Sequence, residues 1–107
     1  MHIVRRSHEY ALAAPAMYRH ASDGYTSAAL VDDSSGSVHT GLSLNQLAAG
    51  GSISTHLHSF EEGFYVLEGE AAVTCADQHV AFGPGDFGVF KVGTPHAWRN
   101  SGTTPLR

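Results

Sequence analysis

Short segments of β-branched, aromatic and small apolar residues alternate with polar and turn residues through the second half of the chain. The segments lie at residues 64–67, 71–75, 79–82, 87–90 and 96–99. Alternation with a period of two is typical of half-buried β-strands, because successive side chains point to opposite faces of the sheet. No stretch has the 3.6-residue period of an amphipathic helix. The pattern therefore predicts an all-β domain with little or no helix.

Turn residues separate these segments at short intervals. Gly83-Pro84-Gly85-Asp86 is the strongest turn signal, because each glycine accepts a positive φ and the proline fixes φ at about −65°. Further turns are predicted at residues 77–78 and 91–95, and the Glu-Gly-Glu sequence at residues 68–70 predicts a hairpin. Short strands spaced by about 8 to 12 residues predict an antiparallel sandwich or barrel.

The alternation of apolar and polar residues is less regular in the first half of the chain. Residues 25–31 and 38–47 are compatible with strands, and the second of them leads into a turn predicted at residues 48–51. Residues 1–24 show no period, and Pro15 argues against a long helix there. We therefore predict an extended N-terminal arm over residues 1–24 and a β-barrel domain over residues 25–107.

Chemically distinctive side chains cluster in the stretch 50–69. His56 and His58 are separated by one residue, and Glu62 follows four residues after the second histidine. In an extended chain these three positions share one face, so two imidazoles and a carboxylate can converge on one point. His96 is the candidate for a fourth group. Imidazole and carboxylate ligands suit divalent first-row metals, and four protein ligands leave two open positions on an octahedral ion.

The spacing of these residues resembles the first of two sequence motifs of the cupin superfamily. That motif has glycine, five residues, His-x-His, three or four residues, glutamate, six residues and glycine. The matching positions in this chain are Gly50, His56, His58, Glu62 and Gly69.

The second cupin motif is matched with one departure. Its two glycine positions, its histidine and its asparagine are occupied by Gly85, Gly93, His96 and Asn100. Lys91 stands where the motif has proline, which changes a turn and leaves the ligand positions filled. The resemblance covers residues 50–100. It implies a jelly-roll β-barrel that binds one divalent metal ion through His56, His58, Glu62 and His96.

The resemblance narrows the function without selecting one activity. Cupins include dioxygenases, isomerases, decarboxylases, lyases and non-catalytic domains that bind sugars or effectors. An ion held by three neutral imidazoles and one carboxylate has a net charge of about +1 and attracts anionic or oxygen-rich molecules. Ligand type alone leaves iron, manganese, nickel, copper, cobalt and zinc open. We expect a metal-dependent enzyme acting on a small molecule, first an oxygenase. The alternatives are a binding module without turnover and an isomerase or lyase.

Composition and charge argue against several partners and locations. The chain has 107 residues, enough for one domain, and a net charge of −4 with only six lysine and arginine residues. Nucleic acid and anionic membranes are therefore poor partners. No apolar run reaches the ~20 residues that span a bilayer, and the N-terminus lacks a signal peptide, so we expect a cytoplasmic protein. Cys75 is the only cysteine, which excludes an internal disulfide and favours a small buried side chain.

The residues after the second motif leave one edge of the predicted barrel to be covered. In cupins a further strand normally follows this motif, whereas here only residues 101–107 follow it. Either the chain is a piece of a longer protein, such as one half of a two-barrel cupin, or the arm or a second copy covers the edge. Apolar residues in the arm and incompletely covered edges favour pairing, so we expect a homodimer.

The remaining distinctive residues are assigned structural roles. Glu61 has the opposite parity to Glu62 and is expected to face away from the barrel interior. Tyr65 and Trp98 are expected to pack in the core, because large aromatic side chains dominate small cores. The core or pocket wall is expected to contain Phe64, Val66, Phe87 and Phe90. The surface is expected to contain His2, His8, His20, His39 and His79.

Overall fold

Antiparallel β-strands dominate the described residues, 3–18 and 20–107, of a computed structural model. The strands are β1 (Ser22–Val31), β2 (Leu42–His56), β3 (Glu62–Tyr65), β4 (Ala71–Cys75), β5 (Gln78–Phe82), β6 (Phe87–Phe90) and β7 (His96–Asn100). The helical elements among these residues are short 3₁₀ turns at Ser7–Glu9, Ala16–Tyr18 and Asp33–Ser35. The prediction of an all-β chain with little helix is confirmed. Over the same residues, no helix is long and apolar enough to cross a membrane.

The strands form two antiparallel sheets that face each other, as in a jelly roll. The larger sheet has the order β1-β2-β7-β4-β5, and the smaller sheet pairs β3 with β6. Phe64 of the smaller sheet meets Trp98 and Phe82 of the larger sheet edge-on, at ring centroid distances of 4.8 and 5.1 Å. The predicted packing role of Trp98 is therefore confirmed. These rings pack against a buried apolar cluster of Leu47, Ile53, Val66, Ala71 and Leu106.

The long strand β2 runs through the residues predicted as a turn, 48–51, so that prediction is wrong. β2 pairs with β1 on both sides of this point, since Ser52 lies opposite Asp23 and Leu47 lies opposite Tyr25. Residues 48–51 therefore form a bulge in a continuous strand. Gly50 has a φ of 75°, and a Cβ on Gly51 would lie 2.8 Å from a neighbouring carbonyl oxygen. The two glycines that suggested a chain reversal instead permit the bulge.

Two shorter connections also differ from their predictions. The hairpin predicted at residues 68–70 is wrong, because β3 pairs with β6 whereas β4 pairs with β5 and β7. Residues 68–70 therefore connect the two sheets.

The turn predicted at residues 77–78 lies one residue earlier, at residues 76–77. Gln78 already pairs with Cys75, and Ala76 takes a φ of 54°. β4 and β6 have the predicted bounds.

Two aromatic residues predicted for the core or pocket wall lie on the outer face of the smaller sheet instead. Tyr65 is 61% exposed and Phe87 is 73% exposed, and the two are directly opposite each other in the β3–β6 pair. Phe87 and Phe90 have opposite parity in β6, so only one of them can point inward, and the buried one is Phe90. Phe64 also points inward. Gly88 leaves room for the Phe64 ring, because a Cβ on Gly88 would lie 2.7 Å from the nearest ring carbon.

Both ends of the chain pair with the larger sheet. Leu106 exchanges two backbone hydrogen bonds of 2.9 Å with Leu47 and is buried in the core. Ala13 in the arm pairs in the same way with Ser27 of β1. Because β1 is an edge strand of the larger sheet, the arm covers part of that edge. The boundary after residue 24 and the assignment to a longer protein stay predictions.

Asn100, the asparagine of the second motif, fixes the segment that follows β7. Its side chain is 1% exposed. The Nδ2 group donates to the carbonyl oxygens of Leu47, Ala48 and Thr104 at 3.0, 3.1 and 2.8 Å, and Oδ1 accepts from the Gly102 amide at 3.0 Å. One buried amide thereby joins the end of the chain to β2.

The remaining predictions concern the surface. Glu61 is exposed, as predicted. Cys75 is half-buried, whereas the sequence predicted a small buried side chain. The described histidines outside the cluster are exposed, as predicted, namely His8, His20, His39 and His79. His2 lies outside the described residues. Positive φ angles occur at Gly50, Gly69, Gly85 and Gly93.

Candidate metal centre

Two histidines of the cluster lie side by side on neighbouring strands. β2 ends at His56 and β7 begins at His96, and the two residues are register partners. Directly opposed residues of antiparallel strands point to the same face of the sheet. The two imidazole ring centroids are accordingly 4.3 Å apart.

The other two groups come from the connection between the sheets. His58 lies just beyond the end of β2, where its carbonyl oxygen accepts a 2.9 Å hydrogen bond from the Gly93 amide. Glu62 is the first residue of β3. Its Oε2 atom lies 2.8 Å from His58 Nε2 and 3.5 Å from His96 Nε2. The structure thus brings the glutamate against histidines from both sequence motifs.

All four residues singled out in the sequence come together. One donor atom from each of His56, His58, Glu62 and His96 lies within 4.8 Å of the others. Bonds of about 2.1 Å to a common ion place adjacent donor atoms about 3 Å apart and opposite ones about 4 Å apart. The four donor atoms are therefore grouped closely enough to hold one ion after small side-chain movements.

Backbone carbonyl groups set the tautomer of two of the imidazoles. His56 Nδ1 lies 2.8 Å from the Ser54 oxygen, and His96 Nδ1 lies 2.9 Å from the Thr94 oxygen. Because a carbonyl oxygen only accepts hydrogen bonds, each Nδ1 atom carries the hydrogen. The Nε2 atom of each neutral ring is then left with a free lone pair, as metal ligation requires.

An aromatic ring packs against each of the three imidazoles. The pairs are Phe90 with His96 (centroids 3.9 Å apart, planes at 6°), Phe60 with His58 (4.7 Å, 23°) and Tyr18 with His56 (5.3 Å, 68°). Each ring restricts the movement of the imidazole beside it. Aromatic packing therefore contributes to the orientation of all three imidazoles.

The donor atoms fit a divalent cation. His96 is 1% exposed, and burial lowers the pKa of its imidazole below the usual 6.5, although the Thr94 carbonyl and Glu62 act in the opposite direction. The neutral ring then directs a lone pair at the site. Neither His96 Nε2 nor Glu62 Oε2 has a hydrogen-bond partner among the described residues, although His58 Nε2 lies 2.8 Å from Glu62 Oε2. Two buried acceptor atoms that face each other without a donor are stabilised by a cation between them.

Two of the three aromatic neighbours of the cluster, Tyr18 and Phe60, were missed in the sequence. Tyr18 lies in the arm, where no spacing connects it with the histidines; only the contact in the folded chain reveals it. Phe60 could have been found, because it has the same parity as His58 and follows it by two residues.

Comparison with known sequences identifies one family. The sequence model of the cupin domain matches residues 43–107, which include all four residues of the cluster. A search of proteins with curated functions gives no match.

Solved structures share the fold. A protein from Thermotoga maritima described as a predicted oxalate decarboxylase is 27% identical, with a TM-score of 0.81 over 97% of this chain and 92% of that chain. A cupin superfamily protein from Desulfitobacterium hafniense is 27% identical, with a TM-score of 0.67 over 77% and 72%. The polyketide cyclase RemF from Streptomyces resistomycificus is 22% identical, with a TM-score of 0.85 over 99% and 75%, and supports the fold alone.

Proposed function

Because this chain belongs to the cupin family, we propose that it is a metal-dependent enzyme whose divalent ion is bound by His56, His58, Glu62 and His96. The observation that carries the proposal is the pair of buried, unpartnered atoms His96 Nε2 and Glu62 Oε2. Iron, manganese, nickel, copper, cobalt and zinc all accept this set of ligands.

The charges at the site indicate the class of substrate. Glu62 supplies one negative charge, and the neutral imidazole of His96 supplies none. A divalent ion in this site supplies Lewis acidity towards a carboxylate, a carbonyl or dioxygen. The substrate is therefore a small anionic or oxygen-rich molecule.

Exposure within the cluster indicates how the substrate enters. The side chains of His58 and Glu62 are 18% and 31% exposed, whereas His96 is sealed behind Phe90. A substrate therefore approaches from the side of His58 and Glu62. Phe60, which stacks on His58, offers an apolar surface on that side and limits the access of water.

Oxygenation is the first reaction class we propose for this site, and decarboxylation is the second. The second is favoured by the description of the Thermotoga maritima protein as a predicted oxalate decarboxylase. The test loads the protein with each metal in turn and measures dioxygen uptake and carbon dioxide release from small carboxylates, with oxalate among them. Turnover that is lost in the His96→Ala variant supports an enzyme. Ligand binding without turnover in every metal form would instead show a binding module.

We also propose that two copies pair through the outer face of the smaller sheet. This face carries the exposed apolar side chains of Tyr65, Phe87 and Val89. Side chains of this size contribute on the order of 400 Å², about half of the ~800 Å² that each partner buries in a standard interface. A twofold axis lets the same patch cover itself in both copies. Nucleic acid and membranes form no part of the proposal, and the cytoplasmic location stays a prediction.

A further inference from the structure

Tyr18 lies beside the candidate metal centre although it belongs to the N-terminal arm. Its ring centroid is 5.3 Å from that of His56 and 5.6 Å from that of Tyr25, and it meets both rings edge-on. The side chain is only half-buried. The arm thus adds an aromatic group with a hydroxyl to a site whose other members come from the strands and their connections.

Hydrogen bonds hold this part of the arm against β2. The Tyr18 carbonyl oxygen accepts from the Ala21 amide at 3.0 Å and from Ser22 Oγ at 2.7 Å. The Ala21 carbonyl oxygen in turn accepts from the Ser54 amide at 2.7 Å, and Ser54 precedes His56 by two residues in β2. The same strand therefore positions both Tyr18 and the histidine against which it packs.

The two neighbouring tyrosines differ in how their hydroxyl groups are used. Tyr25 donates to Asn45 Oδ1 at 2.7 Å, so its hydrogen already has an acceptor. The Tyr18 hydroxyl has no hydrogen-bond partner within residues 3–18 and 20–107. Because the Tyr18 ring lies against His56, this hydroxyl is available to a molecule bound beside that imidazole.

We propose that Tyr18 is a substrate-binding residue, whose hydroxyl donates a hydrogen bond to an oxygen of the anion held at the metal centre. This inference rests on the proposed function, because the ion is what holds the anion. It narrows the substrate to an anion that has an oxygen beyond those bound to the ion, such as a dicarboxylate. Tyr25 is a positioning residue, since its hydrogen bond to Asn45 fixes the ring against which Tyr18 packs.

The test measures anion binding to the cobalt(II)-loaded protein through its visible absorption spectrum. Oxalate is the first probe, because it keeps free oxygen atoms when it binds a metal. Azide is the second probe, because its outer nitrogen is a weaker hydrogen-bond acceptor than a carboxylate oxygen. The variant Tyr18→Phe keeps the ring on His56 and removes only the hydroxyl. Tyr65→Phe is the matched control, since it makes the same change on the exposed outer face. Cobalt content is measured before and after each titration.

The proposal predicts that Tyr18→Phe weakens oxalate binding about tenfold, as expected for the loss of a hydrogen bond to a charged group. Azide binding, cobalt content and the Tyr65→Phe control should all stay within twofold of the unmodified protein. Tyr25→Phe should weaken oxalate binding less than Tyr18→Phe does.

Three results would overturn the proposal. Full cobalt content with unchanged oxalate binding in Tyr18→Phe would remove the role of Tyr18 and leave the metal site intact. An equal loss of affinity for oxalate and azide in Tyr18→Phe would show that Tyr18 only supports His56. A larger loss of oxalate affinity in Tyr25→Phe than in Tyr18→Phe would show that Tyr25 is the donor. Failure of the unmodified protein to take up cobalt would instead contradict the proposed function itself, and this inference with it.

Discussion

Phe90 lies flat against His96, with ring centroids 3.9 Å apart and ring planes at 6°. Phe90 ends β6 of the smaller sheet and His96 begins β7 of the larger sheet, so their contact joins the two sheets at the candidate metal centre. The hydrogen bond from His96 Nδ1 to the Thr94 carbonyl fixes the same ring from its other side. The orientation of this ligand thus depends on packing as well as on hydrogen bonding.

Replacing Phe90 by leucine should lower metal affinity while the fold is kept. The smaller side chain still fills part of the core, and we expect a stability loss of about 1 to 2 kcal/mol. Without the flat ring His96 can tilt, so metal affinity should fall about tenfold. Competition with a coloured chelator measures the affinity. The matched control is Phe87→Leu, which changes an exposed ring of the same strand. Equal affinity in the two variants would show that the stacked ring does not orient the ligand.

Replacing Asn100 by alanine should destabilise the fold through a single buried amide. The change removes the donor to three carbonyl groups and the acceptor for the Gly102 amide. Each buried group left unsatisfied costs about 1 to 3 kcal/mol, so we expect a loss of about 3 kcal/mol or more. Urea unfolding monitored by Trp98 fluorescence measures it. Gln78→Ala, which removes an exposed amide, should cost less than about 1 kcal/mol. Similar midpoints for the two variants would contradict the role assigned to Asn100.

Local pattern was enough to predict several strands and the convergence of His56, His58 and Glu62, whereas the full ligand set with His96 came from the resemblance to the cupin motifs. The bounds of β4 and β6 follow from short apolar segments between turn residues. His56, His58 and Glu62 meet largely as their shared parity predicted, even though β2 ends at the first of them.

The errors arise where contacts distant in sequence decide the structure. The glycines at residues 50 and 51 suit either a turn or a bulge, and the pairing of β2 with β1 selects the bulge. Phe87 and Phe90 are equally apolar, and only the partners of β6 determine which one is buried. Tyr18 reaches the site through hydrogen bonds to β1 and β2 that the sequence of the arm does not reveal.

The metal-free protein should lose stability as the pH falls through the mildly acidic range. Burial holds the pKa of His96 below 6.5 in the folded state, so below about pH 6.5 the unfolded chain binds more protons than the folded chain does. The free energy of unfolding must then decrease as the pH falls. Urea unfolding of chelator-treated protein at about pH 7.5 and about pH 5.5 measures this change, and the His96→Gln variant is measured under the same conditions. If His96→Gln loses as much stability between the two pH values as the unmodified protein does, groups other than His96 cause the effect.

A charge on the outer face of the smaller sheet should separate the proposed dimer. Phe87→Asp places a carboxylate in the middle of the apolar patch, and two copies related by a twofold axis bring these charges close together. Light scattering during size-exclusion chromatography should show a dimer for the unmodified protein and a monomer for the variant. Val38→Asp adds the same charge at an exposed apolar residue outside the patch and should stay dimeric. A monomeric unmodified protein would contradict the pairing.

The metal content of the purified protein shows whether His56, His58, Glu62 and His96 bind a metal ion. The protein is purified without added metal and without affinity-tag histidines, and it is then examined by elemental analysis. We expect close to one equivalent of a divalent first-row metal, lost in His58→Ala and kept in His39→Ala, which removes an exposed histidine outside the cluster. Absence of metal from the unmodified protein, even after reloading, would contradict the proposed metal site, as would equal metal content in His58→Ala.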